Sequence, residues 1–173
     1  MSLRVRGPLG AAIAACALAA AAAPAAADPS LVDVELRAGW GVELGGAGGA
    51  AIVRPSSMTF GARAAFAIRE EPATWAYVGG VAETGTRTSG GLTAGVRLAP
   101  RSHIRLGAGG LWIVTPYSLY GAVVSAGACG KASGALHLCA DLEATLLFGG
   151  SDLPEGRAAS QLQLVFGARF DAM

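Results

Sequence analysis

After residue 27 the sequence lacks any apolar run long enough for a membrane-spanning helix, which needs about 20 predominantly apolar residues. It has only three cysteines and two histidines, with no Cys-x-x-Cys pair, so no metal site is predicted. Its charges nearly balance, with 13 basic and 12 acidic residues, and give no indication of nucleic-acid binding. The glycine-rich run 45–49 is not followed by a Lys-Ser or Lys-Thr pair, so no phosphate-binding loop or cofactor is predicted. A membrane helix is therefore excluded for this part of the chain, whereas membrane-spanning strands are not.

The first 27 residues have the three parts of a secretory signal peptide. Arg4 and Arg6 make a positive start, an alanine-dominated apolar stretch covers residues 9–23, and small residues precede a cleavage site after Ala27. Cleavage there would leave residues 28–173, enough for a single domain.

Two other interpretations of this N-terminal stretch stay open. One is an uncleaved membrane anchor, for which the stretch is short. The other is a lipoprotein signal, since the residues around Cys16 resemble a lipobox and would make that cysteine the acylated first residue. The apolar run continues past Cys16, which favours cleavage after Ala27.

Beyond residue 31, apolar residues alternate with charged, polar or tiny ones at a period of two, which is typical of β-strands with one apolar face. In the first such segment, Val34 and Leu36 flank Glu35. At about 13 residues, this segment is near the length that a tilted strand needs to cross a bilayer. Six segments alternate clearly and two less clearly, and together they predict eight strands: residues 32–44, 58–69, 74–84, 90–99, 103–114, 118–128, 135–148 and 160–171.

The connections between these strands alternate in character. One set is short and polar, at residues 70–73, 100–102 and 129–134, as periplasmic turns should be. The other set includes two longer loops, at 45–57 and 149–159, which would lie on the cell surface. An even number of long antiparallel strands also indicates closure, because a closed sheet leaves no unpaired backbone towards lipid. The sequence therefore predicts an all-β fold, an eight-stranded antiparallel up-and-down transmembrane β-barrel.

The polar face of such a barrel would fill a narrow lumen. Charges buried there must pair, because an unpaired buried ion costs several kcal/mol. We therefore expect a salt-bridged plug in place of a continuous pore. The predicted lumen network comprises Asp33, Glu35, Arg37, Arg63, Arg97, Arg105, Asp141, Glu143 and Arg169.

Aromatic residues on the outer face are expected to form girdles at the two membrane interfaces. The periplasmic girdle would comprise Trp75, Tyr77 and Phe170. The outer girdle would comprise Phe60, Trp112, Tyr120 and Phe148.

Two cysteines remain after the predicted cleavage, Cys129 and Cys139. Both have odd numbers and flank a short predicted turn, so they lie on the same face of neighbouring strands. Because the export compartment is oxidising, we expect a disulfide that closes this hairpin. Two free thiols are the alternative.

This architecture resembles the small outer-membrane barrels of the OmpA transmembrane-domain and OmpX type, over nearly all of residues 32–171. The last strand, which carries Leu164, Phe166 and Phe170, resembles the C-terminal signal that the barrel-assembly machinery reads. It departs from the family in that Asp171 and two further residues follow the final aromatic residue. The resemblance implies a protein of the outer membrane, surrounded by lipid and lipopolysaccharide, with a structural or surface-contact role. We expect a monomer, because the sequence carries no recognisable oligomerisation signature.

Two other functions remain open. A soluble periplasmic barrel of the lipocalin type would have the same alternation, with its apolar face turned inward around a ligand. Some outer-membrane barrels are lipid A-modifying enzymes with a His-x-Ser pair and a carboxylate. His137, Cys139 and Glu143 resemble this set only weakly, because a cysteine stands where the serine belongs. We expect His103 and His137 to belong to the polar lumen and the protein not to be an enzyme.

Overall fold

The structure is a computed structural model that describes residues 31–46, 57–70, 72–85, 88–101, 103–153 and 158–172. The predicted signal peptide at 1–27, including Cys16, lies outside the described residues. So do most of the loop 45–57 and the centre of the loop 149–159. Within the described residues there is no helix of the length and apolarity that a membrane crossing requires.

Eight antiparallel strands form a closed barrel, in which each strand pairs with its neighbours in sequence and the first pairs with the last. The predicted closed, eight-stranded, all-β architecture is confirmed. The strands are β1 (Val32–Gly46), β2 (Ser57–Arg69), β3 (Ala73–Thr84), β4 (Ser89–Arg101), β5 (Ile104–Thr115), β6 (Leu119–Ser133), β7 (Leu136–Gly149) and β8 (Ala159–Ala172).

The connections β2–β3, β4–β5 and β6–β7 lie at one end of the barrel, called here the turn end, and the other connections lie at the loop end. One predicted turn is shorter than expected. Residues 129–134 were expected to form a turn, but β6 continues through Ser133 and only Gly134 and Ala135 connect it to β7. Gly134 has a φ of 51°, a conformation that glycine adopts without strain.

The register of the strands sets their tilt. One path of register partners around the barrel runs from Val32 through Phe66, Ala76, Val96, Ala108, Val124, Ala144 and Leu162 to Val42. The path returns to β1 displaced by 42 − 32 = 10 residues, and barrel closure of this kind tilts strands by about 40°. At about 3.3 Å per residue, even a 12-residue strand such as β3 then rises about 30 Å, more than the roughly 25 Å apolar band of outer-membrane barrels.

The two faces of the sheet differ sharply in polarity. Leu36, Leu92 and Phe148 are examples of large apolar side chains exposed on the outer face. On the inner face, Asp33 and Glu35 are almost completely buried. A soluble ligand-binding barrel needs the opposite arrangement, so the lipocalin-like alternative is wrong.

Glycines on the inner face make room for long side chains from neighbouring strands. The register partners of Arg37 are Gly61 on β2 and Gly167 on β8. A Cβ atom on Gly167 would collide with the carboxylate of Glu35. This alternation of large and small residues allows charged side chains to cross a barrel of only eight strands.

Candidate functional site

Arg105 on β5 lies at the centre of an ion-pair cluster in the lumen. Its Nη1 and Nη2 atoms donate to the two carboxylate oxygens of Glu35, at 3.0 and 2.7 Å. Its Nε donates to Oδ1 of Asp141 at 2.6 Å, and its Nη2 also contacts the other oxygen of that carboxylate. One guanidinium group therefore connects β1, β5 and β7.

Arg37 extends the cluster towards the loop end. Its Nη2 lies 3.0 Å from Oδ2 of Asp141, and its Nη1 lies 2.9 Å from Oε1 of Glu143. The same Glu143 oxygen accepts a bond from Nη2 of Arg63 at 3.2 Å. Each of these carboxylates thus serves two arginines.

Arg97 extends the cluster towards the turn end. Its Nη2 contacts Asp33, and its Nη1 lies 3.5 Å from Oε2 of Glu35. Its guanidinium also lies over the ring of Trp75, 5.0 Å from the centroid, while the guanidinium of Arg63 lies 4.6 Å from the centroid of Tyr77. Such cation–π contacts strengthen when both groups are removed from water.

Trp75 and Tyr77 were predicted to face outward in the periplasmic girdle, and this prediction is wrong. Their exposed fractions are only 7% and 8%, and both belong to a buried cluster with Ala65. The outward positions of β3 are instead occupied by smaller residues such as Ala76 and Val78. The two rings fill the lumen, where they pack against the guanidinium groups of Arg63 and Arg97.

The structure joins eight of the nine predicted network residues in one cluster of four carboxylates and four guanidinium groups. The ninth, Arg169, forms its ion pair with Asp171, with Nε 3.1 Å from Oδ1. Asp171 also contacts Nε2 of His137 at 2.9 Å, so these three residues form a smaller group at the turn end. The clustered residues are Asp33, Glu35, Asp141 and Glu143 with Arg37, Arg63, Arg97 and Arg105.

The loop-end half of the lumen is filled differently, mostly by uncharged polar and apolar side chains, with Glu83 as a buried carboxylate. Gln161 donates through Nε2 to Ser57 at 2.8 Å and to Glu83 at 3.1 Å. Nearer the ion pairs, Thr59 donates to Oε1 of Gln163 at 3.2 Å. Thr59, Glu83, Gln161 and Gln163 line a cavity of about 50 Å³, enough for roughly four water molecules.

An apolar cluster lies at the loop end of this cavity. It consists of Ile113, Leu119, Leu147 and Ala159, which come from four different strands. Sequence reasoning missed this cluster. The signal was present, since these residues have odd numbers and interrupt the polar face of β5, β6, β7 and β8.

The predicted disulfide between Cys129 and Cys139 is confirmed, and the alternative of two free thiols is wrong. The two residues are direct register partners on β6 and β7, with Cα atoms 4.1 Å apart. Their exposed fractions are 7% and 5%, because both side chains point into the lumen. Cys139 therefore has no free thiol to take the place of a catalytic serine next to His137.

The other predicted girdle residues are exposed on the outer face. Near the loop end, Trp112 and Tyr120 are register partners, and the ring of Tyr120 meets that of Phe148 edge to face at 5.7 Å. Sequence reasoning missed three outward aromatic residues that obey the same alternation. The exposed aromatic residues are Phe60, Trp112, Tyr120, Phe148 and Phe170 as predicted, together with Trp40, Phe66 and Phe166.

The part of the chain that the structure describes holds no group of three or more His, Cys, Asp or Glu residues arranged to bind a metal ion. His137 is engaged by Asp171, and His103 lies in the turn before β5.

The chain matches no protein-family model and no curated protein. Among solved structures, it is similar to Ail, the attachment invasion locus protein of Yersinia pestis, determined in complex with the heparin analogue sucrose octasulfate. The similarity covers 80% of this chain and 99% of that chain, at 12% sequence identity and a TM-score of 0.42. The barrel assignment itself rests on the strand pairing of this chain.

Proposed function

We propose that this chain is an integral outer-membrane β-barrel with a closed lumen, and that its role is structural or one of surface contact. In this proposal residues 1–27 are a cleaved signal peptide, and residues 28–173 form the barrel domain. The observation that carries the proposal is the polarity of the sheet, with an apolar outer face and an ion-paired interior.

The apolar outer face is continuous around the barrel. Soluble proteins rarely expose contiguous apolar patches larger than a few hundred Å². Here every strand contributes at least one large exposed apolar residue, so lipid is the solvent that suits this surface. Examples from β1 to β8 are Leu36, Phe66, Val78, Leu92, Leu106, Val124, Leu142 and Phe166.

The interior favours a structural role over transport. Four arginines and four carboxylates cross the lumen and neutralise one another, and the aromatic rings of Trp75 and Tyr77 pack against them. Moving an ion or solute through this layer would require several buried pairs to separate at once, each at a cost of several kcal/mol. A stable, non-conducting barrel follows from this arrangement.

The connections at the loop end would face the cell exterior, where lipopolysaccharide forms the outer leaflet. The loops 45–57 and 149–159 are the longest connections in the sequence and are the segments expected to make surface contacts. The barrel-assembly machinery is the partner expected during biogenesis, and the barrel itself is expected to be a non-enzymatic monomer.

Cell fractionation combined with gel migration tests the proposal. Cells that express the full chain are separated into periplasm and outer membrane, and each fraction is run on a denaturing gel with and without boiling. We expect an outer-membrane band whose migration changes on boiling, because a closed barrel resists detergent at room temperature. A variant that lacks residues 2–27 is the control and should not reach the outer membrane. Recovery of the full chain in the periplasm without a boiling shift would refute the proposal.

Conductance in planar bilayers tests the closed lumen separately. The purified barrel should give no porin-like current. Steady conductance of that size would show that the ion-pair layer opens, and it would favour a transport function over a structural one.

A further inference from the structure

Two irregularities at the turn end of the barrel change the direction of arginine side chains. The first lies between β2 and β3. Ala67 pairs with Trp75, but the next pair is Arg69 with Thr74, so Ile68 is an extra residue on β2. Such a β-bulge shifts the alternation of the strand by one position.

The second irregularity lies between β4 and β5. Leu98 pairs with Leu106, and the next pair is Arg101 with Ile104, so β4 again carries one extra residue. The two bulges are equivalent, because each occurs where a strand reaches the turn end and each precedes an arginine that ends its strand.

These bulges move Arg69 and Arg101 from the lumen side to the lipid side. Strict alternation would place both with the lumen arginines Arg63 and Arg97, which also have odd numbers. Register partners share a face of the sheet. Arg69 is instead paired with Thr74 and Arg101 with Ile104, two even positions on the outer face.

Both arginines are exposed, and neither forms an ion pair with any residue that the structure describes. Their strands are separated only by β3, and the register leads from Arg69 through Thr74 to Leu98, three residues before Arg101. Their backbones therefore lie about 14 Å apart, roughly 10 Å across the strands and 10 Å along them. Apolar side chains lie next to them on the same face, including Ile68, which is 60% exposed, and Leu98. Two cations thus border an apolar surface at one rim of the barrel.

We propose that Arg69 and Arg101 bind the headgroup phosphate of an anionic phospholipid of the phosphatidylglycerol type in the periplasmic leaflet. This proposal rests on the proposed function, that the chain is an outer-membrane barrel. Guanidinium groups present paired donors that match phosphate oxygens. The acyl chains of the same lipid would lie against Ile68 and Leu98. Each basic residue near a membrane surface strengthens association with anionic lipid by roughly fivefold at physiological salt.

The chain provides a matched control for this site. Lys131 lies at the same rim but precedes the third bulge, between β6 and β7, and pairs with His137 on the lumen side. It is exposed and positively charged like the two arginines, but it does not face lipid. A general effect of rim charge would therefore include Lys131, whereas a lipid site would not.

The test measures which lipid remains bound to the purified barrel. The full chain is expressed, and the barrel is extracted from membranes and equilibrated with equal amounts of phosphatidylglycerol and phosphatidylcholine of identical acyl chains. Native mass spectrometry gives the ratio of the two bound lipids. We expect a preference for phosphatidylglycerol of about fivefold or more, a ratio near one for R69Q/R101Q, and the wild-type ratio for K131Q.

Each other outcome has a defined meaning. An unchanged preference in R69Q/R101Q, or an equal loss in K131Q, would overturn the site. Displacement of the lipid by an equal concentration of glycerol 3-phosphate would show a site for free phosphate and would also overturn it. If the double variant does not fold, R69Q and R101Q are tested singly, and each should lower the preference for phosphatidylglycerol by about fivefold. Loss of the boiling shift in the wild-type protein would instead refute the barrel proposal itself.

Discussion

Arg105 and Glu35 face each other inside the barrel and share two hydrogen bonds of 3.0 and 2.7 Å, although they are separated by 70 residues in the sequence. The pair joins β5 to β1, strands that are not neighbours in the sheet. Contacts of this kind brace the barrel across its interior. The first prediction tests them.

Replacement of Arg105 by methionine should destabilise the barrel strongly. The change leaves Glu35 and Asp141 short of their shared partner, and breaking a buried pair in this way costs about 3–5 kcal/mol. The measurement is the urea concentration at which the boiling-sensitive band disappears. K131M is the control, because Lys131 is exposed and forms no ion pair with any residue that the structure describes, and its midpoint should stay within experimental error. Equal midpoints for the two variants would contradict a stabilising role for the cluster.

Replacement of Gly167 by valine should destabilise the barrel by about 1–3 kcal/mol, the usual cost of overpacking a filled interior. A Cβ atom at this position would meet the Glu35 carboxylate. G80V is the matched control, because Gly80 is exposed on the outer face and has no atom within 4 Å of a Cβ built there. Both variants are compared by urea denaturation in the same lipid. If G80V is the more destabilised, the lumen is not tightly packed around Gly167.

The disulfide between Cys129 and Cys139 should resist reduction while the barrel is folded. Both sulfur-bearing side chains are buried in the lumen, so a reductant reaches them only after unfolding. We expect dithiothreitol to leave the bond intact at room temperature and to reduce it after boiling, as read by alkylation of free thiols with a mass tag. C129S/C139S, in which no tag can be added at these positions, is the control. Rapid labelling of the folded wild type would show that the turn end of the lumen is open to the reagent.

Tryptophan fluorescence distinguishes the observed orientation of Trp75 from the one expected from sequence. The chain has three tryptophans, of which Trp40 and Trp112 are exposed on the outer face and Trp75 is buried. In bilayers that contain brominated lipid, W75F should be quenched because both remaining indoles contact lipid. W40F/W112F should be quenched little, because only Trp75 remains. Comparable quenching in the two variants would place Trp75 on the lipid side after all.

Much of the fold follows from local pattern. The eight strands were predicted within a few residues because a period of two is a property of consecutive residues and does not depend on distant contacts. The pairing of Cys129 with Cys139 followed from the same reasoning, since both lie on one face and are joined by a short connection. Glu35 and Arg37 were assigned to one interior network because both have odd numbers and therefore lie on the same face of β1.

The errors arose where alternation was weak or interrupted. On β3 both faces carry apolar residues, so hydrophobicity did not distinguish Trp75 and Tyr77 from Ala76 and Val78. The orientation is decided by register, since Tyr77 pairs with Ala65 on β2 and Gly95 on β4, two inward positions that leave space for the ring. The bulges before Arg69 and Arg101 were not predicted either, because one extra residue at the end of a strand does not visibly change the pattern of apolar and polar residues.

The sequence by itself determined that the chain forms long amphipathic strands, how many there are and which residues share a face on most of them, because these depend on the alternation of neighbouring side chains. Only the tertiary structure decided which charges meet. An odd or even position along a strand assigns a side chain to one face of the sheet, but it does not fix the height of that side chain along the barrel axis. The ten-residue offset on closure brings Arg105 level with Glu35 and Asp141. Bulges then decided which rim arginines leave the lumen, because one extra residue reverses the face of every residue after it.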